Sequence, residues 1–330
     1  METKYILFTG AGFTHNFGAP LARGMWCQIF NHPKIQEEHK IKKLMLREYN
    51  YESVYDIVIN SDYSVQEKEA ISIAVKDTYE RLDRILRDWS FRNGAPYPVN
   101  IYKLQNLIDL FSKKNKKGFI FTVNQDLFLE RHYYNGDRPV MPGIQPKQSW
   151  FTSLFREAAT DQHYVELPSE EHLEREKDRI LAENNFFYIK MHGSQNWRSK
   201  KKENQLVIGR GKTKQIEEEP LLRWYFELFN KALLRNDVKI LFIGYGFGDE
   251  HINKTIAEGA KEYSLGIHII CPSDVEYFHA EILKKKNGAE IWEGLSGYYP
   301  HALSQFFPAD QSETQEYNDL RRQFFRINVS

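Results

Sequence analysis

Short apolar runs that stop at Gly, Asn or Pro punctuate the chain, at Tyr5–Thr9, Phe119–Val123, Phe186–Met191, Lys239–Ile243 and Ile267–Cys271. Runs of this length bounded by turn residues predict β-strands. Several are apolar almost throughout rather than alternating, which suits parallel strands covered on both faces. The segments between them carry helical periodicity. In "YERLDRILRDW", for example, Leu82, Ile85, Leu86 and Trp89 recur at helical spacing. Ser169 stands where a helix through "EEHLEREKDRILAEN" would be capped. Strands alternating with helices predict an α/β fold, a doubly wound parallel sheet. Two stretches exceed what such a fold needs. Residues of about 31–98 predict a helical insertion closed by the loop "NGAPYP", and about 134–185 a second insertion. Both are expected on a single domain spanning 1–330.

Composition narrows the picture. Hydrophobic residues make up 41% and aromatics 14% of the 330 residues, enough for a large core. Lys+Arg and Asp+Glu both total 45, so the formal net charge is zero and a general nucleic-acid binder is disfavoured. One stretch, Arg198–Lys214, is strongly basic. It is read as a hairpin with a solvated turn, the alternative being a docking surface for nucleic acid or an acidic partner. The two cysteines, Cys27 and Cys271, lie far apart and outside any CxxC pair, which excludes a cysteine-built zinc site and disfavours a disulfide framework. With no signal-peptide pattern and no apolar run long enough to span a bilayer, the expected location is the cytoplasm, with no membrane partner.

Ligands of doubly wound sheets bind beyond the carboxyl ends of the strands. The first four strands each lead into an unusual stretch there: GAGFTHN, NQD, HGSQN and GYGFGDEH. Gly10 and Gly12 would let the backbone approach a phosphate at a helix N-terminus, although a tight turn needing positive φ explains the glycines equally well. Arg23 adds a candidate anion contact. Asn124 and Asp126 follow a strand, where helix capping and ligand contact are both open and compatible. His192 follows another strand and is a candidate general acid–base, while Trp197 beside it is read as core or pocket wall. Asp249 is placed to cap the next helix. A metal cluster of Asp249, Glu250 and His251 is set aside because adjacent helical residues diverge.

Taken together and in order, these motifs resemble the sirtuin family. The family's opening GAGxSxxxGIPxFR aligns on Gly10–Arg23, with Thr14 at the serine. Its TQNxD matches Thr122, Asn124 and Asp126, its HG dipeptide matches His192–Gly193, and its GTSL turn is similar to Gly244–Phe247, with Gly246 at the serine. "GAEIWEGLSGYYPHAL" looks like the adenine-side segment. The four cysteines of the family's zinc ribbon are missing, and Leu21-Ala22 replaces Asp-Phe. "KMHGSQNW" and "GYGFGDEHI" look more like bacterial sirtuin-like effectors of anti-phage defence. The resemblance therefore implies a Rossmann-type fold without zinc ribbon and hydrolysis of NAD as substrate, with no metal. Asn124 would position the ribose hydroxyls and the water, Asp126 the nicotinamide carboxamide, and His192 would be the base. Gly10, Ala11, Gly12, Thr14 and Arg23 would hold the pyrophosphate, with Gly244 and Gly246 also lining the cofactor. It further implies control by a homo-oligomer or by a HerA/FtsK-type ATPase, with an Argonaute-like protein as second candidate. The alternatives are an NAD-dependent protein deacylase and a non-catalytic NAD or ADP-ribose sensor.

Overall fold

The computed structural model describes residues 2–89, 98–133, 138–144, 164–199, 208–209 and 211–328. Eight strands follow in chain order: β1 Tyr5–Thr9, β2 Gly118–Thr122, β3 Val165–Glu166, β4 Phe186–Lys190, β5 Trp197–Arg198, β6 Lys239–Ile243, β7 Gly266–Ile270 and β8 Leu295–Tyr299. Six of them form one sheet in the order β4-β2-β1-β6-β7-β8, with every pair parallel. β3 and β5 make a small parallel pair of their own. Numbered within the large sheet, the order is three-two-one-four-five-six, that of doubly wound dinucleotide-binding sheets. The strand order reverses between β1 and β6.

β1, β2 and β4 are buried at every residue, as their unbroken apolarity requires. Successive side chains point to opposite faces. Tyr5 meets Phe324 and Phe325 on one face. Phe8 meets Phe229, from the helix Pro220–Leu233, on the other. The runs at Tyr5–Thr9 and Lys239–Ile243 coincide with their strands, while the other three overshoot by one residue, Val123, Met191 and Cys271 lying just past the strand ends. β8 escapes the apolar-run criterion for a physical reason. It is a half-exposed edge strand containing Ser296 and Gly297. Gly297 is required there because a Cβ would collide with the His268 ring across a register shift.

The segment between β1 and β2 is helical, as its periodicity implies: Ala22–Phe30, Pro33–Glu37, His39–Met45, Tyr51–Asn60 and Val65–Arg87 precede Ile101–Lys113. The 23-residue helix opens on a reciprocal capping box, Ser64 accepting from the Glu67 N–H while Glu67 accepts from the Ser64 N–H. Its last turn and exit bury Leu82, Leu86 and Trp89, and Ile85 is partly covered. Trp89 packs edge-on against Phe17 and beside Phe128, fastening the helical segment to the loops after β1 and β2. Arg131, itself buried, pairs with Asp83 at 2.7 Å and adds a second fastening. "NGAPYP" lies almost wholly outside the described residues. In the second insertion the helix Glu170–Glu183 is capped by Ser169, which accepts from the His172 N–H. The hairpin reading of the basic stretch lies mostly outside the described residues. Residues 200–207 and 210 lie outside the described part, but Lys212–Glu218 is a helix and Ile216 is buried on it. No helix among the described residues is long and apolar enough to cross a membrane.

Candidate functional site

The loops after β1 and β6 meet backbone to backbone at the reversal point of the sheet. The Gly10 N–H donates to the Ile243 carbonyl at 3.1 Å, and the Gly12 N–H to the Gly244 carbonyl at 2.9 Å. A Cβ on Gly10 would stand 2.7 Å from the Gly244 oxygen, and one on Gly12 2.7 Å from the Gly244 Cα. Gly244 has φ +67°, and a Cβ there would strike the Phe13 nitrogen. Of the two readings open for the first two glycines, the one that needs positive φ does not hold. Gly10 is extended with φ −134° and Gly12 is helical, so both are glycines because the second loop presses on them. Gly246, by contrast, is exposed and a Cβ would meet nothing within 4 Å.

Asn124 and Asp126 join this junction from the end of β2. Asn124 Nδ2 donates to the Gly10 carbonyl at 3.0 Å and approaches the Thr14 hydroxyl at 3.4 Å. Its own N–H is held by Thr122 Oγ1. Asp126 Oδ1 accepts from the Phe128 N–H at 3.0 Å, at the start of the helix Phe128–His132, whose N-cap position is Leu127. Burial raises the Asp126 carboxyl above the usual range, and nearby Lys190 opposes the rise. Lys190, fully buried at the end of β4, donates to the Asp126 carbonyl and pairs with buried Glu130 at 2.6 Å. A charge with no exposure is tolerable only with such a partner.

His192 enters from the end of β4 and is held by the neighbouring loop, Gln125 donating to its carbonyl at 3.1 Å. Its side chain faces a cluster invisible as a motif. His192 Nε2 lies 3.3 Å from His251 Nε2 and 3.8 Å from Asp249 Oδ1. Lys212 bridges Asp249 at 2.9 Å and Glu52 at 2.8 Å. Burial drives His192 down to about 3, so its imidazole is neutral at physiological pH, and burial lowers His251 as well. For Asp249 burial works the other way, yet the Lys212 ammonium, paired with it at 2.9 Å, helps hold its carboxyl below the usual range. Lys212 resists its own burial because Asp249 and Glu52 raise it above the ordinary ammonium value. The helical segment supplies the wall: Glu52, with the hydroxyls of Tyr51 and Tyr79 in contact at 3.0 Å.

The setting-aside of Asp249 and His251 is therefore corrected. Asp249 occupies the N-cap position in extended conformation but makes no side-chain cap bond, its carboxylate being committed to Lys212. An N-cap residue does not obey helical spacing. Asp249 and His251 can consequently turn the same way, while Glu250 points out to Lys286. His192, Asp249 and His251 each offer a ligand atom, all within 4.8 Å of one another. The "GDEH" string was the available signal. Lys212 and Glu52 carried none, being brought in by topology from distant helices.

Most of the other expected positions gather at the same sheet end. Thr14 is buried beside Asn124, and Ala11 is exposed at the start of its helix. Arg23 is exposed on the following helix, and the structure does not bring it to Asn124 or His192. Trp197 is buried in β5 and packs on Tyr225. A cavity of about 890 Å³ lies beside the site, lined among others by Tyr79, Asp83, Leu127, Gln195 and Lys214. Asn124, Asp126 and His192 do not line it. A family profile for the SIR2-like domain matches residues 118–292, just over half of the chain, from β2 to the helix Gly288–Glu293. No curated protein matches the chain.

Proposed function

This chain belongs to the SIR2-like domain family, and on that premise we propose that it hydrolyses NAD to nicotinamide and ADP-ribose. The observation that carries the reading is the convergence of buried Asn124, Asp126 and His192 on the reversal point of a parallel sheet of dinucleotide-binding order. Breaking the nicotinamide–ribose bond expels a neutral pyridine and leaves an oxocarbenium-like sugar, so the protein's task is chiefly positioning. In this reading Asn124 exchanges its bond to Gly10 for the ribose hydroxyls and the attacking water. Asp126 accepts from the nicotinamide carboxamide. His192, neutral and thus able to accept, takes the proton as water oxygen bonds to C1′. The Gly10–Thr14 segment receives the pyrophosphate, and Gly246, where open space meets the backbone, the ribose.

Hydrolysis is favoured over protein deacylation on two grounds. Only two cysteines exist, where the deacylase zinc ribbon needs four. Leu21 and Ala22, both exposed, replace the Asp-Phe that deacylases carry. The proposed setting is cytoplasmic anti-phage defence, in which NAD loss disables the infected cell. Its control is assigned to a homo-oligomer, to a HerA/FtsK-type ATPase partner, or to both, with an Argonaute-like partner second. The test is chromatographic detection of nicotinamide and free ADP-ribose from NAD and purified protein, alone and with candidate partners. Asn124→Ala and His192→Ala are each expected to lower turnover about 10²–10⁴-fold with the fold intact by circular dichroism. Turnover only with an acylated peptide, or full turnover in both variants, would overturn the reading.

A further inference from the structure

His192, His251 and Asp249 form a ready donor set for a metal ion, distinct from the phosphate-binding glycines. Two imidazole nitrogens bound to one tetrahedral zinc at about 2.0–2.1 Å stand about 3.3–3.4 Å apart. His192 Nε2 and His251 Nε2 are 3.3 Å apart. The third donor, Asp249 Oδ1, lies 3.8 Å from His192 Nε2, and all three atoms fall within 4.8 Å, so a small rotation of the carboxylate completes the set. Charge points the same way. Two carboxylates, Asp249 and Glu52, face a single ammonium, Lys212, leaving a surplus negative charge in a largely buried cluster. Lys212 need not leave when a cation arrives, because Glu52 holds it at 2.8 Å independently of Asp249.

We infer that these three residues bind one divalent cation of the zinc class, whose preference for two imidazoles and a carboxylate with an open fourth position they match. Occupancy takes up the His192 lone pair. Resting on the proposed reading of His192 as base, the ion then acts as an inhibitor that switches NAD hydrolysis off, and chelation restores it. Zinc is thus a regulator of this site and takes no part in the reaction.

Titration of the metal-free full-length protein with zinc chloride, followed by calorimetry, and with cobalt chloride, followed by visible absorption, tests the site without reference to activity. One ion per chain and tetrahedral cobalt bands are expected. His251→Gln and Asp249→Asn are expected to weaken binding at least about tenfold, the scale at which loss of a supporting group is felt at metal sites. Equal affinity in wild type and both folded variants, or no binding, would overturn the site. NAD assays with zinc and then chelator separate the two readings. Zinc binding by a protein that never consumes NAD leaves the metal site standing and removes the function. NAD consumption unaffected by stoichiometric zinc removes the inhibitory site alone.

Discussion

Two regions share the carboxyl end of the sheet and are built on opposite principles. The junction of Gly10, Gly12 and Gly244 is backbone on backbone, held by main-chain hydrogen bonds between the two loops, and Asn124 fastens it to the loop after β2. The cluster of His192, His251, Asp249, Lys212 and Glu52 is all side chain and all charge or imidazole, its members drawn from β4, two later helices and the helical segment. The first fixes shape and leaves Gly246 facing open space. The second fixes protonation states: a neutral histidine beside an ionised carboxylate. The contrast teaches that one sheet end can separate a device that sets backbone shape from one that sets protonation state.

The comparison can be broken most severely at Gly244. Gly244→Ala combines a positive φ with a backbone collision, so a loss of about 3 kcal/mol or more is expected in denaturant titration, with tryptophan fluorescence as readout. A well-folded variant of unchanged stability would mean the loops are not interlocked. Lys212→Met leaves Glu52 and Asp249 without their shared cation. Because these side chains retain some exposure, the expected cost is about 2–3 kcal/mol, below that of a fully buried pair. A third change sharpens the contrast from outside both regions. His268, in β7, is buried with only Tyr299 as a hydrogen-bond partner among the described residues, and burial lowers it to about 4. The unfolded chain therefore binds a proton there at a pH where the native one does not. Stability should fall as pH drops from about 6.5 toward 4, and His268→Gln should flatten part of that fall. Unfolding curves across this window, at matched denaturant, decide it. Smallest of all, Glu250→Gln removes an exposed pair with Lys286 and is expected to change stability by less than about 0.5 kcal/mol, although its two neighbours in sequence flank it in the cluster.

The glycine junction was legible because its parts are local: GAG and GYG are spaced by covalent geometry, and the apolar runs before them mark the strands that carry them. Asn124 and His192 stood out for the same reason, each lying just past a buried strand. The cause of the glycines stays open in the sequence, since close approach leaves the same residue there as positive φ does. The charged cluster was illegible for the complementary reason. Nothing near Lys212 or Glu52 marks them, and a basic run with one useful lysine looks like any solvated surface. Asp249 and His251 were in view but were judged by helical spacing, which fails at an N-cap. β8 was missed because an edge strand with Ser296 and Gly297 lacks the apolar continuity that exposes its neighbours.

The bond from Asn124 to the Gly10 carbonyl has a temporal consequence. Asn124, Asp126 and His192 are each at most 9% exposed, so on the proposed reading a ligand reaches all three only after the loops above them shift. If NAD is the substrate as proposed, that shift is a step with its own clock, separate from bond breaking. Progress curves started by adding NAD to the rested protein should bend upward before they run straight. Whatever shortens that delay, a neighbouring copy or another protein, would set the moment of onset while leaving the chemistry at C1′ untouched.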